Sequence, residues 1–589
     1  MAYRLERETG DIVIDGFEQG MADSAELGIS LMKNVNITTS SKEVMVNLGS
    51  SALTAPPTIS ADSCTFAGAT DIITSASAIA QGLFNNCAVF FGSSTGGVTA
   101  GVPYYVGNIS GNTFKIYDHI SRGGAAVNIT DDTNTISTFV IGAMTHHAES
   151  WTTNAGASPA FSPYNLLLDA NGRAWFINSS NQIIFMGNTT LTATDGNGLA
   201  VIGGSATAPG YLLVFRRAAI DYITLDAITN TTATAGQWTY GWQTPTGYAG
   251  ISHQAFYAPS FNGVIFCNGA FAGTIIIPTS TTFDPGTAST YTYNASALAI
   301  PTQDRCTWID QLGTTFLIGG IQTRIYPWDG ISPSYNAPLV IPEPNVQKII
   351  CTNSNGYIFA GTRGRIYLTN GSSVQEFRKF PDQISGAEEP YWTWGGALYW
   401  RNQLIFGIQN STNAGVAINN TGGAWAIDLS SDALRHINDA GGSTVTCPVI
   451  APIVSSSTPG GIGIYISSTA TLISAWNIYR TLTTPYTSGE TIVRPDLIPV
   501  GLFYTGRSFS QVEYKLSRPL VAGESVAIEW RPDLAASFTS LTSDSTQVGA
   551  MSGVFVSNID PSQYIQLQLT LTSTLTTPSY VRLTEIRIR

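Results

Sequence analysis

Charged side chains are scarce in this chain of 589 residues. It carries 27 Lys and Arg and 39 Asp and Glu, so only 11% of its residues are charged, against about 25% in average soluble domains. Thr, Ser, Asn and Gly fill the deficit, and a hydrophobic content of 43% excludes a disordered chain. Because Thr favours strands and Gly, Asn and Ser favour turns, the composition predicts an all-β protein with few long helices.

Long apolar runs and basic clusters are also missing. No apolar run approaches the length of a membrane span, so none is expected. The start, MAYRLERETGDIVIDG, is charged and lacks an apolar core, so we expect no signal peptide and folding in a cytoplasm. A net charge of −12 excludes a basic DNA clamp. An acidic channel wall would instead repel phosphate and let a duplex slide.

Cysteine and histidine are few and scattered. No CxxC pair occurs, so we interpret the cysteines as free, mostly buried thiols of a reducing compartment. His146 and His147 are adjacent and would point to opposite faces of a strand, which is not metal-ligand spacing. We therefore predict no metal and no cofactor. The residues are Cys64, Cys87, Cys267, Cys306, Cys351 and Cys447, and His119, His146, His147, His253 and His436.

Three short motifs suggest chemistry without completing it. GSSTG places Ser94 in a G-x-S-x-G pattern, but a loop and a strand follow where a nucleophile elbow needs a helix. DANG (169–172) and DGNG (195–198) are similar to calcium loops but lack the remaining ligands, so turns are the better interpretation and calcium the alternative.

An acidic and aromatic segment around residue 390 is the remaining candidate. Glu388 and Glu389 are adjacent and would diverge in an extended chain, so they are a poor pair for glycoside hydrolysis. The nearby aromatic residues would either stack sugars or form the core of a sheet, which is the interpretation we favour. They are Tyr391, Trp392, Trp394, Tyr399 and Trp400. We predict no catalytic residue and no enzyme activity.

Four regions follow from the patterning along the chain. Residues 1–51 hold one short strand, DIVIDGF, and a predicted helix capped by Asp23 or Ser24, with Leu27, Leu31, Met32 and Val35 on one face; this segment is expected to join the main domain. Residues 52–138 are predicted to form a small inserted β domain. Within it, Tyr104–Val106 and Thr113–Tyr117 are predicted strands of a hairpin with a loop longer than two residues.

Residues 139–489 repeat one pattern of an apolar strand, a short polar turn and a second strand. One strand residue of each unit recurs at intervals of about 40–60 residues, close to the length of a propeller blade. We predict a β-propeller of six or seven blades, with a row of sandwich hairpins as the alternative. The recurring residues are Trp175, Val214, Phe266, Leu317, Phe359, Phe406 and Tyr465.

Residues 490–589 alternate apolar and polar side chains in segments such as YIQLQLTLTS. Val581, Leu583 and Ile586, flanked by Arg582 and Arg587, predict a half-buried strand at the end of the chain. A C-terminal β-sandwich fits this pattern.

Segments near the N-terminus resemble structural proteins of tailed bacteriophages. The insertion carries TAGVPYYV (99–106), TFKI (113–116) and GGAAVN (123–128), a pattern similar to that of a small β module found in such proteins. The start, IDGFEQG onward with Asn34 and Val35, looks like the opening of propeller-based tail proteins. The order of propeller and trailing sandwich resembles the tail nozzle or hub proteins of short-tailed phages.

This resemblance implies a virion protein assembled in the host cytoplasm. It implies a homo-oligomeric, hexameric ring in the tail that contacts portal or adaptor proteins and tail fibre proteins, and through which genomic DNA leaves. No catalytic residues come with the resemblance. A receptor-binding tail fibre or adhesin that recognises host surface glycan is the alternative function, and a polysaccharide-degrading tail enzyme is a third.

Overall fold

A computed structural model gives the structure of the protein, and its description covers most of the chain. The described residues are 2–5, 12–15, 29–33, 35–37, 44–46, 50–52, 54–120, 122, 124–142, 144–152, 162–178, 182–188, 196–205, 208–225, 238–245, 253–361, 365–379, 391–400, 402–409, 412–413, 416–417, 423–429, 434–438, 450–452, 463–467, 473–477, 489–495, 498–499, 507–532, 537–543, 548–562, 564–573 and 582–589.

Six short strands open the chain, and a second group of six follows with one short helix. The first group is β1 Ala2–Leu5, β2 Ile12–Asp15, β3 Ile29–Lys33, β4 Val35–Ile37, β5 Val44–Val46 and β6 Ser50–Ala52. The second group is β7 Asp62–Ala67, β8 Ile72–Thr74, α1 Ala76–Ala80, β9 Ala88–Phe91, β10 Tyr104–Ser110, β11 Thr113–Tyr117 and β12 Asp132–Thr138.

Blades one to three are four-stranded antiparallel sheets built from consecutive strands. Blade one is β13 Met144–Thr152, β14 Ser162–Asp169, β15 Ala174–Ile177 and β16 Ile183–Phe185. Blade two is β17 Gly196–Ser205, β18 Ala208–Arg216, β19 Ala219–Thr224 and β20 Thr239–Gln243. Blade three is β21 Ala255–Ala258, β22 Gly263–Asn268, β23 Phe271–Ile276 and β24 Thr292–Ala299, with a 3-10 turn at Ala288–Thr290 before β24.

Blades four to six continue the pattern, and blade six carries an extra small hairpin. Blade four is β25 Cys306–Leu312, β26 Thr315–Gly320, β27 Arg324–Trp328 and β28 Leu339–Val340. Blade five is β29 Val346–Cys351, β30 Gly356–Ala360, β31 Arg365–Thr369 and β32 Val374–Lys379. Blade six is β33 Tyr391–Trp400, β34 Gln403–Gln409, β37 Gly423–Asp428 and β38 Leu434–Asn438, with the hairpin β35 Thr412–Asn413 and β36 Val416–Ala417.

Blade seven combines both ends of the propeller region. Its strands are β39 Ile450–Pro452, β40 Gly463–Ser467 and β41 Ile473–Asn477, and β6 pairs with β41 as the outermost strand. Directly after β6, Thr54 forms a parallel bridge with Gln182, and its carbonyl accepts the N–H of Ile183 at the edge of blade one. The segment around β6 therefore links the last blade to the first.

The blade strands are apolar because each blade is covered on both faces by its neighbours. Strands β22 (GVIFCN) and β30 (GYIFA) are buried at every position, whereas the outer strand β24 alternates between exposed and half-buried residues. The first strands of successive blades lie against one another, so they surround the propeller axis. Gly198 shows how close this approach is, because a Cβ there would lie 1.9 Å from the carbonyl oxygen of His253.

The insertion is a closed six-stranded barrel in the order β10-β11-β8-β7-β12-β9. The predicted hairpin is confirmed: β10 pairs antiparallel with β11, and Phe114 and Ile116 are buried while Lys115 and Tyr117 are half-buried. The predicted long loop is wrong. A bulge around Asn108, whose φ is 53°, lets β10 continue to Ser110, and Gly111 with φ of 56° then makes a two-residue turn.

The C-terminal strands form the two sheets of a sandwich. They are β42 Gly489–Pro495, β43 Ile498–Pro499, β44 Arg507–Leu516, β45 Glu524–Arg531, β46 Thr539–Ser540, β47 Thr542–Ser543, β48 Ser552–Ser562, β49 Tyr564–Ser573 and β50 Arg582–Ile588. Apolar residues of facing strands fill the core, for example Leu567 and Leu569 of β49 with Leu583 and Ile586 of β50. Val581 lies outside the described residues.

The N-terminal strands complete this sandwich. β1, β2, β4 and β5 belong to the sheet that contains β44 and β50, while β3 pairs with β42 in the opposite sheet. Segment 1–51, expected to join the propeller, therefore contributes β6 to a blade and β1–β5 to the sandwich. The predicted helix is wrong for Leu31, Met32 and Val35, which lie in β3 and β4, because pairing with β42 and β5 outweighs a weak helical pattern. The first residues of that helix, 23–28, lie outside the described residues.

The fold class is thus confirmed as an all-β propeller with an inserted β domain and a C-terminal sandwich, and the described sheets give seven blades. Each of the seven recurring residues lies in a different blade. Six of them are in the second strand of their blade, and Trp175 is in the third. No helix in the described part of the chain has the length and apolar character to cross a membrane.

Candidate functional site

The residues weighed for catalysis hold loops and turns together. Ser94 lies in the exposed loop between β9 and β10, where its Oγ accepts the N–H of Ala100 at 2.9 Å. No helix follows it, so the geometry of a nucleophile elbow is absent from this loop.

Asp169 of the DANG motif is a buried anchor of blade one. Its Oδ1 accepts the N–H groups of Asn171 and Arg173 at 2.9 and 2.8 Å. Its Oδ2 accepts the N–H of Gly142 at 2.9 Å and the indole N–H of Trp175 at 3.0 Å. Burial raises the pKa of this carboxyl, and the hydrogen bonds oppose that shift. With both oxygens engaged, the motif is a turn. Asp195 of the DGNG motif lies outside the described residues.

The histidines are dispersed through the fold. His147 bonds Asn165 across blade one at 3.1 Å, and His146 on the other face of the strand contacts Thr145 at 2.9 Å. His253 is buried between the carbonyl oxygens of Cys267 and Arg217. His119 lies beside Asp118 in the barrel, and the side chain of His436 is not described. The described residues contain no group of three or more His, Cys, Asp or Glu placed to hold a metal ion.

The acidic and aromatic segment is described only in part. Glu388 and Glu389 lie outside the described residues, and Tyr391, Trp392 and Trp394 are described only as backbone of β33. At the end of that strand Trp400 is buried, while Tyr399 is 38% exposed. Trp400 therefore belongs to the interior of the blade, whereas Tyr399 lies at its surface.

The prediction of free, mostly buried thiols is confirmed within the described residues. Cys64, Cys87, Cys267 and Cys306 are free and buried, and Cys351 is free and half-buried. Burial raises the pKa of the Cys64 thiol to about 12 and raises those of Cys87, Cys306 and Cys351 further. Such thiols are poor nucleophiles. Cys447 is not described.

A polar cluster lies on the propeller axis, in the first strands of blades four and five. A bulge at residue 307 interrupts the pairing of β25 with β26, and a bulge at residue 347 interrupts the pairing of β29 with β30. Each bulge changes the direction in which the next side chain points, which is Trp308 in β25 and Lys348 in β29. The Lys348 ammonium lies 3.9 Å from the centroid of the Trp308 ring, a cation–π contact. Asp310 accepts the backbone N–H of Cys351 at 2.8 Å, which joins the two blades.

Burial is the main cause of the pKa shifts in this cluster. Burial lowers the pKa of Lys348, and the attraction of Asp310 opposes that shift. Burial likewise raises the pKa of Asp310. On the far side of the axis, burial lowers the pKa of His147 to about 4, with a further contribution from the positive charge of Lys348. The imidazole is therefore neutral at physiological pH, and the charge of Lys348 acts on a residue of blade one.

A wide cleft opens beside this cluster on one face of the propeller. It has a volume of about 960 Å³ and lies among the turns that join first to second strands in blades three to six. Its lining includes Gln311, Asn353, Ser354, Tyr399 and Asn402. No residue of the described lining is charged.

Asp310 holds two walls of the cleft in place. Its carboxylate accepts the backbone N–H of Gln311 at 2.8 Å as well as that of Cys351. The Gln311 amide bonds the Ser260 hydroxyl of blade three and, at 2.9 Å, the carbonyl of Gly313. Blades three, four and five are thereby tied together beneath the cleft, so its shape exists without a ligand.

The barrel packs against the outer edge of blade one. Phe139, which follows β12, lies 4.5 Å from Phe185 of β16 and 4.8 Å from Phe90 of β9 between ring centroids. Tyr105 belongs to the same apolar cluster. The barrel also has its own core, separate from this contact. The insertion is therefore a distinct body attached through a small aromatic interface.

The axial cluster and the cleft were not predicted from the sequence. One signal was available: VQKII places a lysine, and CTWIDQL an aspartate, within inner strands that carry no other charge. A charge in a buried strand indicates a partner or a channel. The cleft residues gave no such signal, because they are ordinary turn residues on four separate blades.

No family model matches the chain, and no curated protein matches it. Similar solved structures include the β-propeller domain of Cps50 (Swd1) from Myceliophteria thermophila, at 9% identity over 58% of this chain and 98% of that one, with a TM-score of 0.39. Another is YCF48 bound to D1 peptide, at 9% identity over 58% and 99%, with a TM-score of 0.37. A third is the computationally designed Ika8 protein, at 11% identity over 73% and 100%, with a TM-score of 0.35.

Proposed function

We propose that this chain is a structural protein of a bacteriophage tail, a nozzle or hub subunit that forms a hexameric ring around the path of DNA ejection. The observation that carries the proposal is the phage-like pattern of the insertion. Two of its three segments, 99–106 and 113–116, contribute to the β10–β11 hairpin of a barrel that has a hydrophobic core of its own. A separate body at the edge of blade one suits contact with a neighbouring subunit or a fibre protein.

The pairing of the chain ends supports a role under mechanical load. β1–β5 pair with strands from the last 101 residues or with one another, and β6 completes blade seven. Separating either end from the fold therefore requires breaking a sheet. A particle that ejects DNA under pressure benefits from such closure.

Charge supports the passage of DNA without binding it. The chain has a net charge of −12, and a wall of the same sign as phosphate repels a duplex and lets it move. We propose no catalytic role, because Ser94 and Asp169 are occupied in holding turns. The partners we propose are further copies of this chain, portal or adaptor proteins and tail fibre proteins, in a tail assembled in the host cytoplasm.

Counting copies in purified virions tests the proposal. Quantitative mass spectrometry would compare peptides of this chain with those of the major capsid protein. A ring on the tail axis predicts about six copies per particle. Multiples of three well above six would indicate peripheral fibres instead, and absence from the particle would refute the structural role.

A further inference from the structure

We propose that the cleft beside the propeller axis is a binding site for a neutral oligosaccharide. The juxtaposition that carries this inference is an uncharged polar lining of amides and hydroxyls around one exposed aromatic ring. This site is independent of the proposed DNA conduit, since it concerns one face of a single propeller.

The lining selects the chemical class of the ligand. Asn353, Asn402 and Ser354 offer both donors and acceptors, and Gln311 offers its amide oxygen, which match the hydroxyl groups of a sugar. A nucleic acid or a phosphorylated ligand would need cations to balance its charge, and the described lining holds none. An acidic glycan is disfavoured for the same reason.

Tyr399 provides the surface on which a sugar ring stacks. It stands at the end of β33 with 38% of its surface exposed, although its neighbour Trp400 is buried. An exposed aromatic ring beside polar groups binds the apolar face of a sugar while its hydroxyls reach the amides.

The cleft is large and already formed. Its volume of about 960 Å³ lies near the upper end of the range for small-molecule sites, about 300–1,000 Å³, and leaves room for more than one sugar ring. Asp310 fixes the turns of blades four and five, and Gln311 ties them to blade three. Binding therefore requires little reordering of the protein, which favours affinity.

The test is a glycan microarray with the full chain, followed by calorimetry with the neutral oligosaccharide that gives the strongest signal. The array carries neutral probes such as maltoheptaose, chitohexaose, dextran and mannan, and acidic probes such as polysialic acid and heparin. We expect binding to neutral probes alone. Binding to none of the neutral probes, or to acidic probes alone, would overturn the proposal.

Variants then locate the site. Tyr399→Ala removes the stacking surface and should weaken binding about tenfold or more, whereas Tyr399→Phe should stay within about threefold of the parent protein. Asn353→Ala at the exposed turn should weaken it about three- to tenfold. Tyr240→Ala is the matched control, since this blade-two tyrosine is 37% exposed and lies outside the cleft. Equal effects of Tyr399→Ala and Tyr240→Ala would refute the assignment, with circular dichroism confirming that both variants are folded.

Discussion

Replacing Asp169 should loosen blade one and its link to the barrel. In the native protein each carboxylate oxygen accepts two hydrogen bonds, Oδ1 from Asn171 and Arg173, and Oδ2 from Gly142 and Trp175. Gly142 belongs to the segment that leads from the barrel into the propeller. Asp169→Ala removes both acceptor oxygens and so all four hydrogen bonds, while Asp169→Asn keeps one oxygen and turns the other into a donor that faces two N–H groups.

Burial sets the size of the effect. Trp175 and Asp169 both have 0% exposure, so water cannot replace the lost acceptor without opening the blade. A buried donor left without a partner costs about 1–3 kcal/mol, and a part-buried donor costs less because water reaches it more easily. Asp169→Ala leaves one buried donor, the Trp175 indole, and three part-buried backbone N–H groups, which gives about 3–5 kcal/mol. Asp169→Asn leaves two donors facing its amide nitrogen, which gives about 2–3 kcal/mol. Asp329 is the matched control. It caps the N–H groups of Ile331 and Ser332 in an exposed loop, where water can take its place, so Asp329→Ala should cost less than about 1 kcal/mol.

Native-state hydrogen exchange measured by mass spectrometry checks these values. A loss of about 3–5 kcal/mol corresponds to amide exchange about 10²–10⁴ times faster in peptides that cover β14 and β15. Peptides of blade four should be unchanged in the Asp169 variants. If Asp169→Ala accelerated exchange no more than Asp329→Ala does, Asp169 would not be the anchor that its hydrogen bonds indicate.

Three further predictions follow from the described contacts. Phe139→Ala removes the ring between Phe90 and Phe185, at a cost of about 3 kcal/mol, and should expose residues 139–142 to limited proteolysis while the barrel itself stays protected; unchanged cleavage would contradict this. His147 has a pKa of about 4 in the folded protein and 6.5 in the unfolded chain, so the unfolded chain takes up a proton first as pH falls. The free energy of unfolding should therefore decrease by at most about 3 kcal/mol between pH 6.5 and pH 4. His147→Gln should lose less stability over that window in urea denaturation, and equal losses would refute the assignment. Replacing residues 60–137 with a short Gly-Ser linker should leave the propeller folded, because the ends of the insertion are already adjacent. The Ile59 N–H donates to the Thr138 hydroxyl at 2.9 Å, and the Thr138 N–H donates to the Ile59 carbonyl at 3.1 Å. Faster hydrogen exchange throughout the propeller would count against this prediction.

The propeller was predictable because its signal is local and repeated. The second strands of the blades are covered on both faces, so the sequence must place runs such as GVIFCN and GYIFA at regular intervals. The hairpin of the insertion was predictable for a similar reason, since TFKIY alternates between buried and half-buried residues. The length of its turn was not predictable, because the bulge at Asn108 is a local backbone conformation that no specific residue pattern marks.

The candidate site was out of reach for the opposite reason. Asp310 and Lys348 lie on different blades, and their proximity depends on how the blades are arranged around the axis. The cleft draws Gln311, Asn353 and Tyr399 from three blades. Each of these residues is of a type that is common at strand ends and in turns, so no local sequence pattern distinguishes them from other residues there.

The amino-acid sequence by itself determined that this protein is all-β, poor in charge and built from repeated hairpins, because composition and strand periodicity act locally. The tertiary structure alone decided that β6 completes blade seven and that β1–β5 complete the sandwich. A short strand carries too little information to name its partner. Its partner is the edge that the rest of the fold leaves unpaired, and that edge exists only once the sheets have assembled.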